Sequence, residues 1–540
     1  MPSEAVSSVR QLLLTFEATL RTSPTNIDAY NGLLGHLGEI VQISAKDESF
    51  RMELASSEEL WSRFKVAIGK AREVAGMVMS DQETSFIYVR TLRGLTLLLR
   101  NMSACDLPFP RQMKFLDECT VTFLRIAQLN PNIDEMLISY YTITTGFLHN
   151  ITKDMTAYEN MALEPLMRFL EYPTEHLIND QKLSYCYCTL FLNLTASEDF
   201  LYAFFRQTSC SKIIHDNILG GVARHHSVIL KGLGKVNADE EKYEITSLDA
   251  VLLKTFARLA ANESFGHYLV QCERENADVF FDVLKCLRLV VTSSERWDKF
   301  TLTVLMTWCF PIFERAAQST VSYLEKKATD EQEAIILHNK LTMTMDIMST
   351  LAQYDHVQKF LLSYGALEIL IRLLRALQNN LVRINFYKNP NGTIKGLKTT
   401  DGLGSELTDE QLLSKRIDYS NFHIKATNFP ECKLLIIEIL TTLIHNRRDV
   451  QDKVRELGGL ELILSNCTID DNDPFIKERS VICIKFLLKD NAPNQDFVAK
   501  LEAKKVVQEE ALSTAGYEVR INSSGELKLD TISDDKCDGT

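Results

Sequence analysis

Three asparagines give this chain its most regular polar signal. They are Asn101 in Leu99-Arg100-Asn101-Met102-Ser103, Asn150 in Leu148-His149-Asn150-Ile151-Thr152 and Asn193 in Leu192-Asn193-Leu194-Thr195, 49 and 43 residues apart. A side-chain amide is both donor and acceptor, so a row of them can bond the main chain of an extended segment without reading its sequence. Asparagine also readily satisfies the backbone of its own helix end, and the spacing alone leaves both roles open. Met343-x-Met345-x2-Met348 and Cys186-x-Cys188 carry soft sulfur ligands of the kind that suits Cu(I). Thiols two residues apart on a helix, however, diverge by about 200°, and methionines in an apolar helix normally fill core. His225 and His226 diverge by about 100° on a helix and have no third ligand at helical or turn spacing. Gly32-x2-Gly35-x2-Gly38 lacks the preceding strand of a dinucleotide-binding turn and reads as helix-packing glycine. The chain has no G-x4-G-K-[ST], H-E-x-x-H, G-x-S-x-G or C-x-x-C. These residues therefore assign no catalytic, cofactor-binding or metal site, and the reading is not an enzyme.

The elements that must position these groups are helices in repeat. Residues 434–501 contain one helical unit twice: Ile439 to Ile444 followed by Val450-Gln451-Asp452-Lys453-Val454, then Cys483 to Leu488 followed by Asn494-Gln495-Asp496-Phe497-Val498, starting 44 residues later. Apolar positions at i, i+3, i+4 and i+7 with that period signal armadillo or HEAT-type repeats. Gly458-Gly459 falls where one helix stops and the next begins, a place where glycine reaches a left-handed conformation without a Cβ clash. Tyr364-Gly365-Ala366-Leu367 echoes it. The three asparagines then fall on consecutive repeats, stacked about 10 Å apart. Aligning later repeats by their apolar frames places Arg258, Arg288, Thr350, Thr442 and Phe486 near the same position. The expected fold is an all-α, armadillo-like helical-repeat solenoid, a right-handed superhelix.

A longer pattern in the C-terminal stretch resembles the C-terminal domain of the ataxin-10 family. It runs Asn446-x3-Val450-Gln451-Asp452-Lys453-Val454-Arg455-Glu456-Leu457-Gly458-Gly459, then Leu464-Ser465-Asn466-Cys467-x-Ile469-Asp470-Asp471-x2-Pro474-Phe475-Ile476-x-Glu478, then Asn494-Gln495-Asp496-Phe497-Val498-Ala499-Lys500. The chain departs from the family pattern at Arg479, where Trp is usual, and at Phe486-Leu487, where Asn-Leu is usual. Those changes place it on a divergent, fungal-type branch. The resemblance implies a non-enzymatic cytoplasmic scaffold that binds protein partners, with roles in cytokinesis and signalling. Fungal relatives have carried a copper-transport name, which makes a soluble factor in copper homeostasis the alternative.

Composition bounds the partners. A formal net charge of −13 argues against nucleic acid or an anionic membrane surface, so other proteins are expected, with self-association left open. No apolar run is long enough to span a bilayer, and Met1-Pro2-Ser3-Glu4-Ala5 lacks a secretory signal. Twelve irregularly spaced cysteines, several in apolar runs, read as free thiols of a reducing compartment.

The sequence divides into N-terminal repeats over 1–384, a flexible polar and Gly-rich loop over 385–428, ataxin-10-type repeats over 429–516, and a short hairpin with an acidic tail over 517–540. Residues 7–45 should form two helices broken at Ser23-Pro24-Thr25. The stretch 235–242 should be a charged surface connection. In the loop, Thr399, Thr400, Ser405 and Ser420 lie among Lys395, Lys398, Lys415 and Arg416, so phosphorylation there could pair new charge with nearby bases.

Overall fold

The computed structural model describes residues 4–105, 114–129, 135–153, 162–172, 174–228, 244–293, 296–327, 330–388, 394–500, 517–521 and 527–531. The 235–242 connection and the tail beyond 531 lie outside these residues. The chain forms two compact units, Met1–Trp308 and Cys309–Thr540.

Helix starts in the first unit follow local chemistry. Asn26, Asp47, Ser57 and Asp81 each place a side-chain oxygen on a backbone N–H of the first turn that follows. Thr246 and Asp249 form a reciprocal capping box. The expected N-terminal pair appears as Glu4–Thr22 and Ile27–Lys46. Helices then stack in two rows. One row runs Ile27–Lys46, Gln82–Met102, Glu135–Ile151, Gln181–Leu194 and Ser247–Ala260, each against the next. The other runs Glu4–Thr22, Glu58–Val78, Lys114–Leu129 and Leu163–Glu171. Between the rows lies the apolar core, with Phe16, Phe64, Tyr88, Phe123, Phe147 and Phe191 fully buried.

The second unit shows the repeat most plainly. Helices Glu331–Leu351, Cys432–Ile444 and Ile476–Leu488 stack in one row, while Ala366–Asn380 packs on Gly459–Ser465. Both glycine junctions are left-handed, Gly365 at φ 73° and Gly458 at φ 70°, as the sharp turn between helices demands. Gly458→Ala should therefore cost about 1–2 kcal/mol, since its Cβ would also stand 3.1 Å from Arg375 Nη2, which donates to the Leu457 carbonyl. Gly396→Ala, facing open space, is the control. Urea denaturation of the two variants measures the difference.

The stretch 385–428 departs from the expected flexible loop. Its described residues form strand Arg383–Lys388 paired antiparallel with Ile394–Thr400, with Ile384 opposite Thr399 and Phe386 opposite Leu397. Helix Glu410–Arg416 follows, and Ile417 pairs with Ile424. Val382, Ile384, Leu413 and Ile417 are buried together, with Phe386, Leu397, Leu407 and Ile424 packed on them. The apolar residues are sparse but alternate along strands and converge from several elements, so the segment has a small core of its own. Thr399 is buried and donates to Leu407 O at 2.6 Å, and Arg416 donates to Thr427 O. The buried Thr399 hydroxyl is therefore shielded from the phosphorylation expected above.

At the C-terminus, Tyr517–Ile521 pairs antiparallel with Leu527–Thr531, the hairpin expected there.

Candidate functional site

The three asparagines do fall on successive stacked helices, and their side-chain N–H groups are already occupied. Asn101 Nδ2 lies 3.0 Å from Ser44 Oγ and 3.5 Å from Val41 O. Asn150 Nδ2 lies 3.1 Å from Ser103 Oγ and 3.2 Å from Arg100 O. Asn193 Nδ2 lies 3.2 Å from Thr152 Oγ1 and 3.1 Å from His149 O. Each amide thus reaches back one repeat and donates to a carbonyl and a hydroxyl of the preceding helix, at its end for Asn150 and Asn193 and inside the last turns of Ile27–Lys46 for Asn101. The hydroxyls of Ser44, Ser103 and Thr152 themselves donate to the same Val41, Arg100 and His149 carbonyls. Carbonyls left without partners at a helix C-terminus are costly when shielded from water, and this arrangement satisfies them while joining neighbouring repeats.

The ladder continues with other residue types. Arg258 Nη1 donates to Leu192 O at 2.6 Å, at the position its apolar frame indicated. Trp308 Nε1 likewise donates to the helix-end Ala260 O at 3.2 Å. The sequence did carry a signal for this role: a hydroxyl stands two residues after each asparagine, at Ser103, Thr152 and Thr195. Ser103 and Thr152 each accept the amide of the following repeat. The remaining amide oxygens of Asn101, Asn150 and Asn193 accept no hydrogen bond among the described residues.

The other candidate groups separate. Met343, Met345 and Met348 are buried, and Cys188 is buried while Cys186 is half-buried. Burial pushes the Cys188 thiol well above its ordinary range, which works against a metal-binding thiolate. No group of three His, Cys, Asp or Glu able to hold a metal occurs among the described residues. His226 Nε2 sits 2.8 Å from Leu177 O, and His225 Nδ1 sits 3.0 Å from Gly221 O, so both rings face backbone carbonyls. Gly32, Gly35 and Gly38 have nothing within 4 Å of an added Cβ, which corrects their reading as packing glycines. The close approach in that part of the chain belongs to Gly94, where a Cβ would stand 2.6 Å from Leu37 Cδ2.

The motif Asp470-Asp471-Asn472-Asp473 in the second unit forms a largely buried clasp that residue spacing did not reveal. Lys433, 2% exposed, places Nζ 2.6 Å from Asp470 Oδ2 and 3.3 Å from Asp473 Oδ2. Asp470 Oδ1 accepts from Ile384 N at 3.0 Å, Asp471 Oδ2 from Phe386 N at 2.6 Å, and Asp473 Oδ1 from Leu434 N at 3.1 Å. Asn428 both accepts from and donates to the Val382 backbone and donates to Asn472 Oδ1. The carboxylates therefore occupy the outer edge of the 383–388 strand and tie the insertion to the repeat. Burial opposes the charge on Lys433, but Asp473 and Asp470 outweigh it and hold its pKa above the ordinary lysine value. Burial raises the Asp473 pKa, with Lys433 countering and Asp470 adding to it. This lysine's charge is the one the site favours.

The two departures from the family pattern sit at the surface of the same repeat. Arg479, 54% exposed, pairs with Glu438 at 3.1 Å. Phe486 lies against His445 with ring centroids 4.7 Å apart.

Comparison with known proteins agrees with this assignment of motifs. The family model described as the spinocerebellar ataxia type 10 protein domain matches residues 432–530, which contain most of the clasp. The chain is 38% identical over 528 residues to the ataxin-10 homolog of Candida glabrata, covering 97% of this chain and 99% of that protein. It is 36% identical over 529 residues to the ataxin-10 homolog of Saccharomyces cerevisiae, covering 94% of this chain and 93% of that one. The similarity to Homo sapiens ataxin-10 is local, 39% over 84 residues, 16% of this chain and 18% of that protein. With near full-length agreement to the fungal proteins and the signature motif seated in its clasp, the chain belongs to the ataxin-10 family.

Proposed function

We propose that this chain is a non-enzymatic cytoplasmic adaptor that holds protein partners on the exposed side of its ladder row and takes part in cytokinesis and signalling. Family membership supports the scaffold reading. The observation that carries it is the division of labour along the row Gln82–Met102, Glu135–Ile151 and Gln181–Leu194. One face of each helix is buried and cross-linked by the amide rungs, while the other presents a stripe of partly exposed side chains. Repeat stacks present extended surfaces of this kind to partners. The amide oxygens of the half-buried Asn150 and Asn193, which accept no bond among the described residues, would add a secondary contact at the edge of that stripe, with the buried Asn101 contributing only to the rungs.

Affinity capture of the tagged full-length chain from dividing cells, read by mass spectrometry beside a tag-only control, tests this reading. The expected result is a reproducible set of proteins enriched over the control. Absence of any protein enriched over the control would count against it.

A further inference from the structure

The exposed stripe of helix Gln82–Met102 reads Phe86, Arg90, Arg93, Leu97 and Arg100. Steps of three and four residues put all five on one face of the helix. Phe86 is 46% exposed and Arg90 is exposed, while Arg93, Leu97 and Arg100 are half-buried. Two of the arginines are laid across the next helix of the row. Arg93 Nε donates to Ser139 Oγ at 2.6 Å. Arg100 crosses Gly146, where an added Cβ would stand 3.1 Å from its Cδ. Arg93 and Arg100 are two helical turns apart, and so are Ser139 and Gly146, so small residues on the second helix open two parallel passages for the guanidinium arms.

The charge of Arg100 extends as far as Cys186 on the third helix, where it opposes the burial that raises that thiol's pKa. Burial, then the nearby charges of Arg90 and Arg100, lower the Arg93 pKa. None of Arg90, Arg93 and Arg100 forms an ion pair among the described residues. Three neighbouring guanidiniums with no carboxylate partner among the described residues are notable in a chain of net charge −13. Their like charges repel, and guanidinium is the side chain best shaped for two-pronged recognition of carboxylates.

We propose that this arginine face binds an acidic, extended segment of a partner protein, with Asp or Glu carboxylates paired to Arg90, Arg93 and Arg100 and apolar contact on Phe86 and Leu97. The inference rests on the adaptor reading above and names the chemistry of the partner.

The test is fluorescence anisotropy with the full-length chain and a labelled peptide of alternating Glu and Ala, beside its Gln and Ala counterpart. The acidic peptide should bind, more weakly as salt screens the contacts, and the neutral one should not. Charge reversal as R90E/R93E/R100E should weaken binding on the order of tenfold or more, from three partly exposed pairs, with the variant's helical circular dichroism retained at the assay temperature. Equal binding of the two peptides, no binding of the acidic peptide by the wild-type chain, or undiminished binding by the folded variant would overturn the proposal. So would a labelled single-stranded oligonucleotide that displaces the acidic peptide, because it would mark a phosphate-polymer site. If partners captured from cells survive R90E/R93E/R100E, the adaptor reading stands and this inference alone falls.

Discussion

Lys433→Ala should remove about 3–5 kcal/mol from the stability of the second unit, because it leaves buried carboxylates without their counter-charge. Domain stabilities are commonly about 5–15 kcal/mol, so a loss of that size would bring unfolding close to physiological temperature. Asp470 and Asp473 would lose Lys433 at 2.6 and 3.3 Å, and both carboxylates are buried. The damage should also spread to the insertion, since Asp470 accepts the Ile384 N–H and Asp471 the Phe386 N–H. Early proteolytic cleavage within 394–428 should therefore accompany the lowered transition, whereas the wild-type segment should resist. Neutralising all three partners as K433M/D470N/D473N should recover much of the loss, because hydrogen bonding survives without buried charge. If Lys433→Ala melts like the wild type, the clasp does not support the unit.

The same cluster sets a pH dependence whose sign follows from linkage. The folded-state pKa of Lys433 is raised. Its stabilising contribution is therefore fully present below the unfolded lysine pKa of about 10.4 and is lost as pH rises through the higher folded value. Asp473, also raised, contributes in the opposite range, where stability increases as pH falls through its folded pKa toward the ordinary aspartate value. Denaturation midpoints taken across pH should fall in strong alkali for the wild type, and K433M/D470N/D473N should show a flatter profile at both ends.

Parts of this architecture were readable from sequence because their causes are local. Gly365 and Gly458 declare left-handed junctions, which few other residues tolerate, and the apolar period around them fixes which helix faces meet. The ladder was visible as a spacing of asparagines, but its partners were not, because each rung bonds a carbonyl one repeat earlier. Asn101 reaches Val41, and Asn150 reaches Arg100. The hydroxyls at Ser103 and Thr152 were the available sign that a helix end was being closed there.

The insertion was misread as loop because Val382, Ile384, Leu413 and Ile417 never form a contiguous apolar run. Glycine and polar residues separate them along the chain. Its edge is satisfied by Asp470 and Asp471, more than eighty residues away in sequence, so no local rule could signal the pairing. The arginine stripe was passed over for a different reason. Charged residues at helical spacing usually mean no more than a solvated face, and the lack of counter-ions among the described residues became visible only once the helices were stacked.

The amide ladder joins the stacked repeats of the first unit, and removing it should have a large effect on stability. In N101A/N150A/N193A each rung loses the donors that satisfy a carbonyl and a hydroxyl of the preceding repeat, at about 1 kcal/mol per rung. The first unit should therefore lose about 3 kcal/mol in total, with the three sites contributing nearly independently because each joins a different pair of helices. Asn150→Asp should be worse than Asn150→Ala at neutral pH, since it sets a carboxylate against the Arg100 carbonyl that the amide now serves. The most direct measurement is a urea titration of the triple alanine variant together with its binding of the acidic peptide. The ladder as described here predicts a clearly lowered midpoint with peptide affinity little changed. An unchanged midpoint with binding abolished would contradict it and return the asparagines to the role of groove ligands.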